Sequence, residues 1–298
     1  MTEPAAPHLP HLILEAGTEL GEGPIWDHRR GCLLFVDIMR GHIHQFEPRT
    51  GAHRVVEVGQ PVGAVAPTVR GDWVAAVKDG FARVDPASGR SSVIAAVEAD
   101  LTANRMNDGY VDARGRFWAG TMDMTETAPT GSLYRLDPDG SVHHVLAGAT
   151  ISNGVDWSPD GTRMYYIDTP TNRVDVLDFD AHTGAVSNRR PFAVIPADPG
   201  TGHPDGLVVD ADGHVWVGMW GGGALRRYAP DGTLERVVPF PVSRVTKCAF
   251  GGPDLDELYA TTAFIGMDAA ARAREPLAGG LFRLRPGVRG RPPHVFGG

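Results

Sequence analysis

The sequence predicts an all-β fold, a six-bladed β-propeller. Three observations predict it. A strand–turn–strand unit recurs six times at intervals of roughly 40 to 52 residues, the spacing of four-stranded blades. The 38 glycines and 24 prolines favour many turns and short strands over long helices. No long segment carries the 3.6-residue periodicity of an amphipathic helix. With 42% hydrophobic residues there is apolar material for a large core, and 298 residues suit one propeller domain spanning 1–298.

Each copy opens with an apolar strand after a Gly, then a polar turn, then a second strand. The openings are Gly23-Pro24-Ile25-Trp26, Gly63-Ala64-Val65, Gly109-Tyr110-Val111, Gly154-Val155-Asp156-Trp157, Gly206-Leu207-Val208-Val209 and, lacking the Gly, Cys248-Ala249-Phe250. Third strands are expected at 42–46, 81–84, 132–136, 173–179, 224–228 and 279–284, and fourth strands at positions such as 142–146 and 234–238. Turns such as Asp137-Pro138-Asp139-Gly140 separate them, Pro setting φ and Gly accepting positive φ. One blade cannot bury both faces of its sheet, whereas six in a ring can. Residues 11–16, with Leu12-Ile13-Leu14, are expected to add a strand to the last blade and latch the ring; 268–278 reads as a short helix or loop insertion. The tryptophans at 26, 118, 157 and 216 recur at the repeat period and are expected to pack between blades.

Opening strands are innermost in a propeller, so the residues just before each Gly converge on one mouth of the channel. They are Glu22, Val62, Asn107-Asp108, Asn153, Asp205 and, in the last copy, Lys247. Five of the six positions are polar or charged. Glu22 and Asp205 would repel across a narrow channel unless a cation stood between them. Two carboxylates and the Asn153 amide form an all-oxygen set suited to Ca²⁺ first, with Mg²⁺, Mn²⁺, Zn²⁺ or Fe²⁺ as alternatives.

The net charge of −8 and a pI near 5.8 argue against nucleic acid as a partner. Two cysteines, Cys32 and Cys248, are too few for a secreted disulfide scaffold or a thiolate zinc site and are expected to be buried and reduced. Residues 1–11 show no basic segment followed by a long apolar run, so no signal peptide or membrane span is expected, and the reading is a cytoplasmic monomer.

Leu20-Gly21-Glu22-Gly23-Pro24-Ile25-Trp26, Arg105-Met106-Asn107-Asp108-Gly109, Gly115-Arg116-Phe117-Trp118-Ala119-Gly120-Thr121-Met122, Ile151-Ser152-Asn153-Gly154, Pro204-Asp205-Gly206 and Val245-Thr246-Lys247-Cys248 resemble the gluconolactonase, senescence-marker-protein and luciferin-regenerating-enzyme family. The resemblance runs from about residue 15 to about residue 285, and Pro276-Leu277-Ala278-Gly279-Gly280-Leu281-Phe282 is similar to the bacterial sugar-lactonase branch. It implies one divalent metal held by Glu22, Asn153 and Asp205, and hydrolysis of a sugar lactone, an aldonolactone, to the aldonic acid. It also implies substrate contacts from Arg105 and Asn107. Where some members carry an acidic contact after the Gly-Thr-Met segment, this chain aligns Thr125, and a shifted loop would offer Glu126 instead.

The mechanism that follows has Asp205 as general base for an attacking water and Arg105 as hydrogen-bond donor. Lys247 is expected either to supply positive potential to the oxyanion or to pair with Asp205 or Glu22. His42 and His44 read as a solvated strand face, and His203 and Trp220 as neighbours of the mouth. Alternatives on the same scaffold are a metal-dependent esterase or phosphotriesterase and a non-enzymatic interaction propeller.

Overall fold

A computed structural model describes residues 9–298. The segment 1–8, which holds most of the N-terminal stretch read above for targeting, lies outside the described residues. Six four-stranded antiparallel sheets form the blades of a propeller, five of them in meander order and the sixth completed by the N-terminal strand. The innermost strands are Gly21–Asp27, Val62–Pro67, Asn104–Val111, Ser152–Trp157, His203–Val209 and Val245–Gly251. They and the second strands are almost wholly buried, while fourth strands such as Ala52–Glu57 and Leu234–Pro239 are mostly exposed. That gradient is why the sequence reads as unbroken apolar runs early in each repeat and as alternation late in it.

The ring closes as expected. Strand His11–Leu14 pairs antiparallel with Leu281–Leu284 as the outer strand of the sixth blade. The 268–278 segment contains one short helix, Ala269–Arg274, whose first turn is capped by the Asp268 carboxylate accepting from the Ala271 N–H at 2.7 Å. No helix among the described residues is long and apolar enough to cross a membrane. Cys32 and Cys248 are buried and unpaired.

The four periodic tryptophans are buried between blades, and a recurring device fits two of them there. In Asp-x-x-Gly-x-x-Trp, one carboxylate oxygen of Asp112 accepts the backbone N–H groups of Arg114 and Arg116, and the other accepts the Trp118 indole N–H at 2.8 Å. Asp210 does the same for Asp212, His214 and Trp216. One side chain thus closes the turn and spares the buried indole an unpaired donor.

His44 corrects an expectation. It is 3% exposed, stacked 4.6 Å from Phe35 at the junction of blades one and six, and its Nδ1 lies 3.0 Å from His53 Nε2. Its strand partner Phe35 faces the inter-blade core, and that fixes which way His44 must point. Burial first, then the neighbouring His53, pushes its pKa down to about 3. The unfolded chain takes up a proton below about pH 6.5 that the folded protein refuses, so this site loses stability as pH falls from 6.5 towards 3. By pH 5 the loss is about 2 kcal/mol. His44→Phe is expected to flatten the decline in melting temperature between pH 7 and pH 5; an unchanged decline would show that His44 is not the group responsible.

The C-terminal segment, residues 285–298, was not legible as an element. It crosses the face opposite the predicted mouth, bonded to loops or strand ends of blades six, five, four, three and two: Gly290 N–H to Leu255 O, Arg289 O from Ala211 N–H, Arg291 to Asp156 Oδ1, Gly297 N–H to Gly115 O, and Phe296 N–H to Pro67 O. Phe296 is buried.

Candidate active site

All six innermost strands are irregular at the same level. The pairing register shifts between Glu22 and Ile25, Val62 and Ala64, Met106 and Gly109, Ser152 and Val155, Pro204 and Leu207, and Val245 and Cys248. A bulge places two residues against one and re-aims a side chain. Here it turns the residue before each Gly towards the channel. The Gly that follows is required by close approach: a Cβ on Gly63 would stand 2.2 Å from the Asn107 carbonyl oxygen, and one on Gly206 would stand 2.5 Å from the Lys247 stem.

The bulges bring Glu22, Asn107, Asn153 and Asp205 to the floor of one cavity of about 300 Å³, and each is at least nine-tenths buried. Arg105 and Glu126 also line it. Blade two contributes nothing, in keeping with Val62 at its register position.

The amides are oriented by their neighbours. Asn153 donates its Nδ2–H to Thr169 Oγ1 at 2.8 Å, and Thr169 donates to the Pro204 carbonyl, so the Asn153 Oδ1 is left facing Asn107 Nδ2 at 3.1 Å. Asn107 gives its own oxygen to the Arg105 guanidinium at 2.7 Å. Glu22 Oε2 accepts the Gly23 N–H at 2.6 Å, and its Oε1 is buried with no partner. Burial, then the nearby Asp108 charge, pushes Glu22 up to about 8. Burial, then Glu22, pushes Asp205 well above the usual carboxylate range. Burial lowers Arg105 to about 10, opposed by Glu126, Glu22 and Asp205. Two buried carboxylates, Asp205 raised by Glu22 and Glu22 raised by Asp108, one with an orphaned oxygen, make a floor short of positive charge.

Among the described residues no three His, Cys, Asp or Glu side chains converge as a metal site. The set available is two carboxylates plus the Asn153 amide oxygen, which is the donor chemistry of a hard cation rather than of a thiolate or imidazole site. The residues present fit the cation that the resemblance implies.

Lys247 differs from expectation. It is 1% exposed, lies outside the cavity lining, and pairs with Asp108 rather than with Glu22 or Asp205. Its Nζ also sits 5.4 Å from the centre of the Tyr110 ring. The physical reason is the path of its stem, which runs across Gly206 towards the third blade. Asp108 is the residue that sequence reasoning left without a role; an acid and a base in the same register position of a narrow ring was the signal for it.

Loop 123–130 resolves the choice between Thr125 and Glu126 as to which reaches the cavity. Thr125 turns away, its hydroxyl donated to the Asp123 carboxylate, while Glu126 takes φ +61° and lines the cavity. His203 and Trp220 line it as well. His203 Nδ1 is 2.8 Å from Asn172 Oδ1, and the Arg244 guanidinium stacks 5.1 Å over the Trp220 ring.

The chain is 40% identical over 288 residues to regucalcin of Xenopus laevis, covering 94% of this chain and 95% of that protein. Among solved structures it is similar to a luciferin-regenerating enzyme, at 33% identity and a TM-score of 0.89 over 97% of this chain and 99% of that one. It is also similar to a calcium-binding protein, regucalcin, from Agrobacterium tumefaciens, at 32% identity and a TM-score of 0.91 over 96% of each. Residues 20–264, which carry all six channel positions from Glu22 to Lys247, match the SMP-30/Gluconolactonase/LRE-like region, and the chain belongs to that family.

Proposed function

We propose that this protein is a metal-dependent lactonase that hydrolyses an aldonolactone to its aldonic acid. The observation that carries the reading is the pair of buried carboxylates, Glu22 and Asp205, beside the Asn153 oxygen in one half-open cavity. Family membership supports it, and so does the calcium-binding description of the Agrobacterium relative. Glu22, Asn153 and Asp205 would hold the cation, with Ca²⁺ ranked first and Mg²⁺, Mn²⁺, Zn²⁺ or Fe²⁺ as alternatives. When bound, a divalent cation supplies electrophilic stabilisation of negative charge developing on a carbonyl oxygen.

The chain's own residues supply the rest. Asp205 takes a proton from the attacking water, as a carboxylate beside the reacting centre can. That proton ends on the ring oxygen as it leaves the acyl carbon. Arg105, held by Asn107 and by the Met106 carbonyl at 3.1 Å, offers its remaining N–H groups to substrate oxygens. Glu126 and His203 also line the cavity and are proposed to meet the substrate hydroxyls. Lys247, paired with Asp108 beneath the floor, contributes field rather than contact: it lowers the pKa of both Glu22 and Asp205. The proposal has the protein act as a monomer in the cytoplasm, where two unpaired buried cysteines are at home, with no nucleic-acid or membrane partner.

Hydrolysis of aldonolactones, followed by a pH indicator, is expected to vanish after EDTA treatment and return on re-addition of a single divalent metal. Full activity in verified metal-free protein would sink the metal-dependent reading. No hydrolysis of any aldonolactone by metal-loaded protein would sink the lactonase reading.

A further inference from the structure

The cavity has two unlike sides above its floor. The side built by blades three to five mixes the polar Arg105, Glu126 and His203 with the apolar Met122, Ile151 and Trp220. On the side built by blades six and one, the lining above Glu22 is Leu20, Ile38 and Ile265, all aliphatic. This wall is set on paired backbone. The Ile38 N–H donates to Leu20 O at 3.0 Å, the Ile265 N–H to Glu19 O at 2.8 Å, and Leu20 bridges Ala263 across the junction of the two blades. The buried Asp37 carboxylate holds the turn from behind by accepting the N–H groups of Glu19 and Leu20. Leu20 and Ile265 are only half-buried, so they present apolar surface to whatever fills the cavity, whereas Ile38 is buried and serves mainly as packing within the wall.

An aldonolactone carries hydroxyls on nearly every ring carbon, and this wall offers them no partner. A hydroxyl buried there loses its water without replacement, whereas a methylene gains by leaving water. We propose that the site also hydrolyses lactones bearing an alkyl substituent, with the alkyl chain lying on the wall of Leu20, Ile38 and Ile265. The inference rests on the lactonase reading and extends its substrate class. The reaction balances as ordinary hydrolysis. The water oxygen bonds to the acyl carbon and the bond from that carbon to the ring oxygen breaks. One water proton ends on the ring oxygen as a hydroxyl, and the product acid releases the other. No oxidant or reductant is involved.

The test uses the metal-loaded full chain and the series γ-butyrolactone, γ-hexalactone, γ-octalactone and γ-decalactone, with gluconolactone as reference. kcat/KM is expected to rise about fourfold per methylene while the chain still lies on the wall, the fold-change that burial of one methylene converts to. A flat or falling series with gluconolactone still hydrolysed would overturn the inference and leave the lactonase reading standing. No hydrolysis of any lactone, gluconolactone included, would overturn both. Ile265→Asn and Leu20→Asn are expected to lower the ratio of kcat/KM for octalactone over butyrolactone about tenfold. A folding defect lowers both substrates together and leaves that ratio alone, so an unchanged ratio would count against the wall. As a check independent of turnover, 2-alkylcyclopentanones, which keep the ring carbonyl but have no ester bond, are expected to bind more tightly as the chain lengthens, read by calorimetry. Binding that ignores chain length would overturn the proposal.

Discussion

Asp205→Asn is expected to lower kcat/KM for lactone hydrolysis by about a thousandfold or more. A general base contributes on the order of 10² to 10⁴ in rate, and the same substitution removes a charged ligand. Asn is nearly isosteric with Asp, so the packing of Gly206 against Lys247 is kept and the loss reads chemistry rather than folding. Glu22→Gln tests the ligand role apart from the base, because it removes charge on the far side of the floor. Both substitutions also remove the repulsion by which the Glu22 charge disfavours a charged Asp205. In metal-free protein each variant is therefore expected to melt no lower than the parent, while the rise in melting temperature on adding Ca²⁺ should disappear. A variant of Asp205 that loses activity but keeps the Ca²⁺-dependent rise would leave Asp205 as base and remove it as ligand. Retained activity would take it out of the mechanism.

The second large effect is on stability. Lys247→Met is expected to cost about 3–5 kcal/mol, because it leaves Asp108 charged, buried and uncompensated beside Glu22 and Asp205. That corresponds to a fall on the order of 10 °C in melting temperature for a chain of this size. Asp108→Asn combined with Lys247→Met replaces the pair by two neutral groups of similar volume and is expected to recover most of the loss. The non-additivity is the diagnostic reading: if the double variant is as unstable as the sum of the singles, the two side chains are not coupled. If Lys247→Met alone costs little, the pair does not carry the stability assigned to it.

The blades were legible because each repeat carries its own local instructions. Gly and Asp-Gly turns set the corners, and the inner strands, buried on both faces, read as apolar runs. The predicted third strands at 173–179 and 224–228 coincide with Arg173–Phe179 and Ala224–Tyr228. The channel-facing register was legible for the same reason, since a residue before a repeated Gly must occupy an equivalent place in every blade. The orientation of His44 was not, because period-two alternation says which residues share a face but not which face meets the next blade. Nor was the partner of Lys247, a choice among three carboxylates at one level of the ring, decided by where a long flexible stem finds room.

The sequence by itself determined the propeller, its latch, and the convergence of Glu22, Asn107, Asn153 and Asp205 on one mouth, because these follow from periodicity and from symmetry about one axis. The tertiary structure alone decided the pairing of Lys247 with Asp108 and the turn that brings Glu126 to the cavity in place of Thr125. It also decided the closure of the far mouth by residues 285–298 and the aliphatic wall of Leu20, Ile38 and Ile265. Each of these depends on contacts between segments far apart in the chain, where no local pattern specifies the partner and only the packing of one blade against another selects it.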